Sequence, residues 1–146
     1  MKKLIFLLLL ISSTALSEII RLDCDPEQLS YFDNTYCNEY LKSDFQKNFC
    51  NKNLSIEIDN KNEPKKIYYL SEDWVFEDKS FDLSKSDDDF LFFEKKIKNY
   101  QTGNEKITIK IDRYNLNLIF TRQFLDLKDD KDWVEYYNCQ IIEKKI

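Results

Sequence analysis

The sequence predicts an α+β fold that is mainly β, with short N-terminal helices followed by an antiparallel β-meander. Three observations predict it. Between residues 24 and 53, apolar side chains recur every three to four positions, which is typical of helices with one buried face. Between residues 54 and 142 the period changes to two, which is typical of half-buried strands. Short polar turns separate these strands, so we expect consecutive strands to pair in a sheet or a small barrel.

The first seventeen residues predict a signal peptide that is removed during export. Lys2 and Lys3 precede an apolar run at residues 4–11, and small residues follow it. We expect cleavage after Ser17, which leaves a single domain over residues 18–146 in the periplasm or outside the cell. A membrane-spanning helix needs about 20 apolar residues. We therefore expect no membrane segment after cleavage.

The segment 24–53 is predicted to form two short helices. Asp25 is a plausible N-cap with Pro26 at the first helical position, and Ser43-Asp44 can cap a second helix. The apolar positions that define the helical spacing are Leu29, Phe32, Tyr36, Tyr40, Leu41, Phe45 and Phe49.

The segment 54–142 is predicted to form successive antiparallel strands. Gly103-Asn104 indicates a tight hairpin turn, and residues 112–115 indicate another turn. The acidic stretches 81–89 and 126–132 are predicted to be exposed loops. The predicted strands are 54–59, 67–70, 74–76, 90–93, 97–102, 107–111, 116–120 and 133–142.

Four cysteines in an exported chain predict two disulfides. One continuous helix would hold Cys37 and Cys50 roughly 20 Å apart, too far for a bridge. A helix break at Ser43-Asp44 would allow that bridge, which favours Cys37–Cys50 together with Cys24–Cys139. A helical hairpin would instead pair Cys24 with Cys50 and Cys37 with Cys139, so both pairings stay open.

The composition excludes several classes of site. The chain has no histidine, which excludes Ser-His-Asp triads and His-ligated zinc. Gly103 is the only glycine, so a phosphate-binding loop or a dinucleotide fingerprint cannot form. Without Lys2 and Lys3, the mature chain has 20 basic and 27 acidic residues, a formal charge of −7 (20 minus 27). This charge argues against nucleic acid and anionic lipid and suits a cationic protein partner, although solubility alone also accounts for it.

Two acidic runs are the candidate metal ligands. Asp87-Asp88-Asp89 and the segment 129–132 offer oxygen ligands at close spacing, but both lack the alternating acids and central glycine of a calcium-binding loop. We predict solvated loops, with no metal and no other cofactor. A pair of carboxylates could serve a hydrolase, yet the 27 acids single out no particular pair.

The aromatic residues allow a second function. Trp74, Phe76 and the cluster 90–93 could line an apolar pocket inside a barrel. Aromatic side chains at strand spacing more commonly form the core. A pocket for a small apolar ligand is therefore an alternative prediction.

Four segments resemble a class of small uncharacterised exported proteins of AT-rich Gram-negative bacteria. These segments are Leu22-Asp23-Cys24, residues 54–59, residues 107–113 and Tyr137-Asn138-Cys139. In that class an isoleucine-rich strand ending in Asn-Arg or Asp-Arg precedes a turn, and one cysteine closes the chain. The resemblance implies a β-rich periplasmic domain with paired terminal cysteines and implies no activity. The insert carrying Cys37 and Cys50 departs from the pattern.

Together these features predict a non-catalytic exported protein that acts through a surface contact. The alternatives are a small-ligand-binding barrel and a hydrolase that uses carboxylates alone. The sequence predicts no oligomeric state.

Overall fold

A computed structural model describes residues 19–31, 33–59, 65–70, 80–128 and 131–145. For residues 143–145 it describes the backbone only. These parts form nine strands and one helix. In chain order they are β1 (Ile19–Ser30), β2 (Asn34–Tyr36), α1 (Asp44–Cys50), β3 (Leu54–Asp59), β4 (Lys66–Tyr69), β5 (Ser80–Ser86), β6 (Phe90–Asn99), β7 (Gly103–Asp112), β8 (Asn117–Phe124) and β9 (Trp133–Lys145).

Eight of these strands form a closed antiparallel barrel. Each strand from β3 to β8 pairs with the next, β3 also pairs with β1, and β9 pairs with β1 to close the barrel. The β1–β9 seam runs from Ile19 opposite Lys145 to Ser30 opposite Val134. Closure leaves no long unpaired edge among the described strands. The prediction of a mainly antiparallel β fold is confirmed. Of the two predicted alternatives, an open sheet and a small barrel, the structure is the barrel, because β1 and β9 pair along most of their length.

The barrel interior is packed with apolar side chains from all eight strands. On β7, for example, Ile107, Ile109 and Ile111 are fully buried and alternate with outward polar residues. An eight-stranded barrel has an interior that side chains can fill. The other members of the buried cluster are Ile20, Leu22, Cys24, Leu54, Ile56, Ile58, Ile67, Phe81, Leu91, Phe93, Leu116, Leu118, Phe120, Tyr137 and Cys139.

The prediction of a first helix beginning near Asp25 is wrong. Asp25 and Pro26 lie inside β1, which continues to Ser30 and is followed by β2. A register shift against β9 lies between Pro26 and Gln28. This bulge adds one residue to β1. The spacing that imitated a helix joins Leu29, buried on β1, to Tyr36, exposed on β2, so these two residues share no buried face.

The second predicted helix is confirmed as α1. The Ser43 side chain accepts a hydrogen bond from the Gln46 amide (3.2 Å), and Gln46 Oε1 accepts one from the Ser43 amide (3.3 Å). This reciprocal capping box explains why the helix begins at Asp44. In the described parts of the chain, no helix has the length and apolar character needed to cross a membrane.

The prediction of an exposed loop at residues 81–89 is wrong for most of that segment. β5 occupies Ser80–Ser86, with Phe81 buried in the core, and only residues 87–89 form the turn to β6. The many polar residues of β5 concealed the strand, because few of its side chains face the interior.

The hairpin predicted around Gly103 is confirmed, with its turn slightly earlier. Asn99 pairs with Gly103, so the turn consists of residues 100–102. Gly103 has φ +79°, the left-handed conformation expected after a three-residue hairpin turn. A Cβ atom at Gly103 would lie 2.3 Å from Asp126 Oδ2.

Replacing Gly103 by alanine should lower the free energy of unfolding by about 1–2 kcal/mol, the cost of a left-handed L-residue. The contact with Asp126 adds to this cost. Urea denaturation measures the change. Gln101→Ala in the same turn is the control, because its side chain is exposed and its replacement should leave stability nearly unchanged. Equal effects of the two substitutions would contradict the prediction.

Candidate functional site

A groove lies on the outer wall of the barrel near the C-terminal end of β1, which we call the upper end. It has a volume of about 530 Å³. The floor comes from the last part of β1 and from β9, and the side wall from β2 and the residues that follow it. Its lining residues are Pro26, Glu27, Gln28, Tyr36, Cys37, Asn38 and Tyr136.

Strand register places two tyrosines on either side of Gln28. The Cα partner of Gln28 is Tyr36 on β2 and Tyr136 on β9. Directly opposed residues in antiparallel strands project from the same face of the sheet. The three side chains therefore form one row on the outer face. Adjacent strands lie about 4.8 Å apart, so roughly 10 Å separates the Cα atoms of the two tyrosines.

The bulge in β1 supplies the acidic group of the groove. Glu27 falls between Pro26, which is paired with Tyr137, and Gln28, which is paired with Tyr136. It therefore has no opposing residue on β9, and its side chain is exposed. The Cys37 amide donates a hydrogen bond to the Glu27 carbonyl (2.9 Å), which fixes the side wall against the bulge.

The side wall is also anchored by α1. The Cys37–Cys50 disulfide joins it to the end of the helix, and Gln46 Nε2 donates to Thr35 Oγ1 (3.1 Å). Two helix side chains pack on inward-facing rings of β9: Phe45 against Trp133 and Phe49 against Tyr137, with ring centroids 5.6 and 5.9 Å apart. The groove is therefore held by covalent, polar and aromatic contacts.

The groove lies in an acidic part of the chain. Residues 23–41 contain five acids and no basic residue. The flanking Arg21 is paired with Glu57 at 3.1 Å, and the next basic residue is Lys42. An acidic surface attracts cations and repels anions. The five acids are Asp23, Asp25, Glu27, Asp33 and Glu39.

A second polar cluster lies inside the upper end of the barrel. Glu105 is 0% exposed, and Arg122 donates to both of its carboxylate oxygens, from Nε at 2.6 Å and from Nη2 at 2.9 Å. The Thr102 hydroxyl also donates to this carboxylate. Burial alone would raise the pKa of Glu105, but these hydrogen bonds outweigh burial and hold the pKa below its ordinary value.

Glu135 lies in the same region, but its pKa is shifted in the opposite direction from that of Glu105. Burial of its carboxylate raises the pKa of Glu135, although Tyr137 and Trp133 donate hydrogen bonds to its two oxygens, the latter at 2.6 Å. Glu105 and Glu135 thus both have donors from within the chain, and neither lines the groove. This pattern is typical of carboxylates that stabilise the interior.

Replacing Glu135 by glutamine should flatten the pH dependence of stability. A carboxyl whose folded pKa is raised stabilises the fold below its unfolded pKa, near 4.5, and that contribution is lost as pH rises through the folded pKa. Glutamine resembles the protonated acid. We expect the stability of the variant relative to the native chain to increase as the pH rises from 4 to 8. Urea denaturation at pH 4, 6 and 8 measures this difference, and a constant difference would contradict the prediction.

The acidic run at 87–89 shapes a turn. The Asp87 carboxylate accepts hydrogen bonds from the amides of Phe90 (2.8 Å) and Asp89 (3.0 Å), and these bonds hold its pKa below the ordinary value. Arg113 is 6% exposed, and its amide donates to the Asp89 carbonyl (2.9 Å). Burial lowers the pKa of Arg113, while the three acids act in the opposite direction.

Several predicted site residues lie outside the described residues. These are Trp74 and Phe76 of the predicted apolar pocket and Asp129 and Asp130 of the second acidic run. Within the described ranges, no three cysteine or acidic side chains come together as a possible metal site.

The structure contains the disulfides Cys24–Cys139 and Cys37–Cys50, the pairing that the helix-break argument favoured. Cys24 and Cys139 are directly opposed across the β1–β9 seam, and both are buried. The first bridge therefore crosses the seam that closes the barrel, and the second holds the side wall of the groove.

The groove itself escaped prediction from the sequence. The two-residue period of the last strand places Trp133 and Tyr137 on one face with Cys139, and the structure buries Tyr137 there. Tyr136 therefore faces outward, but no pattern in the sequence places Tyr36 near it. Glu27 and Gln28 gave no signal, because the bulge that exposes them depends on pairing with β9.

Comparison with protein-family models, curated proteins and solved structures found no match to the chain.

Proposed function

We propose that this chain is a non-catalytic exported protein that binds a cationic protein partner through the groove. The observation that carries the proposal is a cleft of about 530 Å³ lined by Tyr36, Tyr136 and Glu27 within an acidic stretch of the surface. Tyrosine is enriched at protein interfaces because it combines a large apolar ring with a polar hydroxyl. Export is supported by the predicted signal peptide and is compatible with two disulfides.

The two alternative functions have less support. Among the described residues that line the groove, Glu27 is the only carboxylate, whereas acid–base hydrolysis by carboxylates uses two. A ligand inside the barrel would compete with apolar side chains that meet there from all eight strands. A surface contact requires neither a second carboxylate nor an empty interior.

Site-specific photocross-linking in the native compartment tests the proposal. The photoreactive amino acid p-benzoylphenylalanine replaces Tyr136 in the groove and, as the matched control, Tyr114 in the turn between β7 and β8. Tyr114 is 50% exposed and lies at the opposite end of the barrel. We expect position 136, but not position 114, to form an adduct with a basic protein. Absence of an adduct at position 136, or equal labelling at both positions, would overturn the proposal.

The captured protein then allows a measurement with purified components. We expect binding to the native chain to weaken at least tenfold between about 0.05 and 0.5 M salt, because screening shortens the range of charge interactions. Glu27→Lys should weaken binding at least about tenfold at low salt, or roughly 1.4 kcal/mol. Asp88→Lys makes the same charge change at the opposite end of the barrel and should leave binding nearly unchanged. Affinity that is independent of salt and of Glu27 would contradict a charge-driven contact.

A further inference from the structure

We propose that the groove is an arginine-binding site, in which Tyr36 and Tyr136 enclose the guanidinium of one partner arginine and Glu27 pairs with it. This inference rests on the proposed function and specifies the side chain that the partner presents. Four observations carry it: the spacing of the strands that hold the two tyrosines, the polar groups between them, the acidic residues nearby, and the anchoring of the side wall.

The spacing of the tyrosines suits one flat group. Tyr36 and Tyr136 lie in strands on either side of β1, with roughly 10 Å between their Cα atoms. A planar group stacked between two rings needs about 7 Å between the ring planes, since each contact takes about 3.5 Å. A guanidinium is planar and stacks on aromatic faces. A lysine ammonium is compact and strongly hydrated, so it uses such a slot less well.

The polar groups of the groove match the donors of a guanidinium. Within the described part of the chain, the side chains of Glu27, Gln28 and Asn38 make no hydrogen bond or ion pair. Glu27 offers a carboxylate that can accept two parallel hydrogen bonds, and the two amides offer one carbonyl oxygen each. A guanidinium carries five N–H donors and no acceptor. These acceptors together can satisfy most of its donors.

The charge around the groove selects a cation over a neutral ligand. Tyrosine rings and amides would also suit an uncharged polar ligand such as a sugar. The groove, however, lies in the stretch 23–41, which has five acids and no basic residue. Acidic side chains within the screening length of the groove favour a positive group.

The side wall is held before any ligand arrives. Cys37 donates its amide to the Glu27 carbonyl (2.9 Å) and is bridged to Cys50 at the end of α1. Pre-organised sites bind more tightly because less ordering accompanies binding. A ligand arginine should therefore enter a formed slot with little rearrangement of β2.

Titration of the isotope-labelled, oxidised mature chain with three short peptides tests the inference by NMR. The peptides are identical except for a central arginine, lysine or citrulline, the last being a nearly isosteric, uncharged analogue of arginine. We expect the arginine peptide to shift the amide signals of Glu27, Gln28, Asn38 and Tyr136. We also expect it to bind at least threefold more tightly than the lysine peptide and at least tenfold more tightly than the citrulline peptide.

Three variants test the assigned roles. Tyr36→Ala, Tyr136→Ala and Glu27→Gln should each weaken arginine-peptide binding at least about fivefold, while Tyr114→Ala should not change it. Circular dichroism shows whether each variant is folded, and the conservative Tyr136→Phe keeps the ring and should retain most of the binding.

The outcomes separate this inference from the proposed function. Equal affinities for arginine and lysine peptides would overturn the arginine site and leave a cationic partner in place. Equal affinity for citrulline, or shifts located away from the groove, would also overturn it. Specific arginine binding without any photocross-linked partner at position 136 would support the site and contradict the proposed partner protein.

Discussion

Replacing Arg122 by methionine should lower the free energy of unfolding by about 3 kcal/mol at neutral pH, one of the two largest effects that we expect. Removing one partner of a buried ion pair costs about 3–5 kcal/mol, because the other charge stays buried and unpaired. Glu105 is 0% exposed, whereas Arg122 retains 29% exposure, which places the effect at the lower end of that range. Urea denaturation at pH 7 measures it.

The pH dependence provides an independent check on Arg122. The pKa of Glu105 is held below its ordinary value, so the ion pair contributes stability above about pH 4.5, and this contribution is lost as pH falls through the folded pKa. The cost of Arg122→Met should therefore be smaller at pH 4 than at pH 7. An effect that is independent of pH would contradict the role assigned to the pair.

Two further variants identify the source of the effect. Lys106→Met removes an outer-wall ion pair with Glu94 (2.6 Å), in which both side chains are about one third exposed, and should cost at most about 1 kcal/mol. Adding Glu105→Leu to Arg122→Met should recover most of the lost stability, since a packed apolar pair can replace a buried ion pair. No recovery in the double variant would mean that Arg122 acts mainly through packing.

Replacing both Cys24 and Cys139 by alanine should lower the free energy of unfolding by about 5 kcal/mol in the chain-entropy model. The bridge spans 115 positions and closes nearly the whole described barrel. Replacing Cys37 and Cys50, which are 13 positions apart, should cost about 3 kcal/mol in the same model. Thermal and urea denaturation of the two double variants against the native chain measure both values.

The two double variants should also differ in function. The Cys37/Cys50 variant should lose partner binding at the groove while it stays folded, because its side wall is no longer anchored. The Cys24/Cys139 variant should bind normally under conditions in which it is folded. A larger loss of stability for the short bridge, or a Cys24–Cys50 peptide in a non-reducing digest, would contradict this assignment.

The strands could be predicted where polar and apolar residues alternate without interruption. Ile107, Ile109 and Ile111 show this pattern, and the structure places them fully buried on β7. Prediction failed where pairing with a distant strand changes the pattern. Leu29 and Tyr36 have helical spacing in the sequence, but β1 pairs with the distant β9 and with β2, so both residues lie in strands.

The buried carboxylate Glu105 and the groove were beyond prediction for a related reason. Glu105 continues the inward period of β7, but a charge at that position is stable only because Arg122 on β8 reaches it. Tyr36 and Tyr136 are 100 positions apart and become neighbours through their separate pairing with Gln28. No local pattern carries information about such contacts.

The sequence by itself determined the alternation that makes strands, the capping box of α1, the hairpin at Gly103 and the absence of histidine chemistry. Each of these depends on residue types alone or on interactions within a few positions along the chain. The tertiary structure alone decided that the meander closes into a barrel, that Glu105 is buried against Arg122, and that two tyrosines flank an acidic groove. These features depend on the register between strands far apart in sequence, which is set by the packing of the whole core.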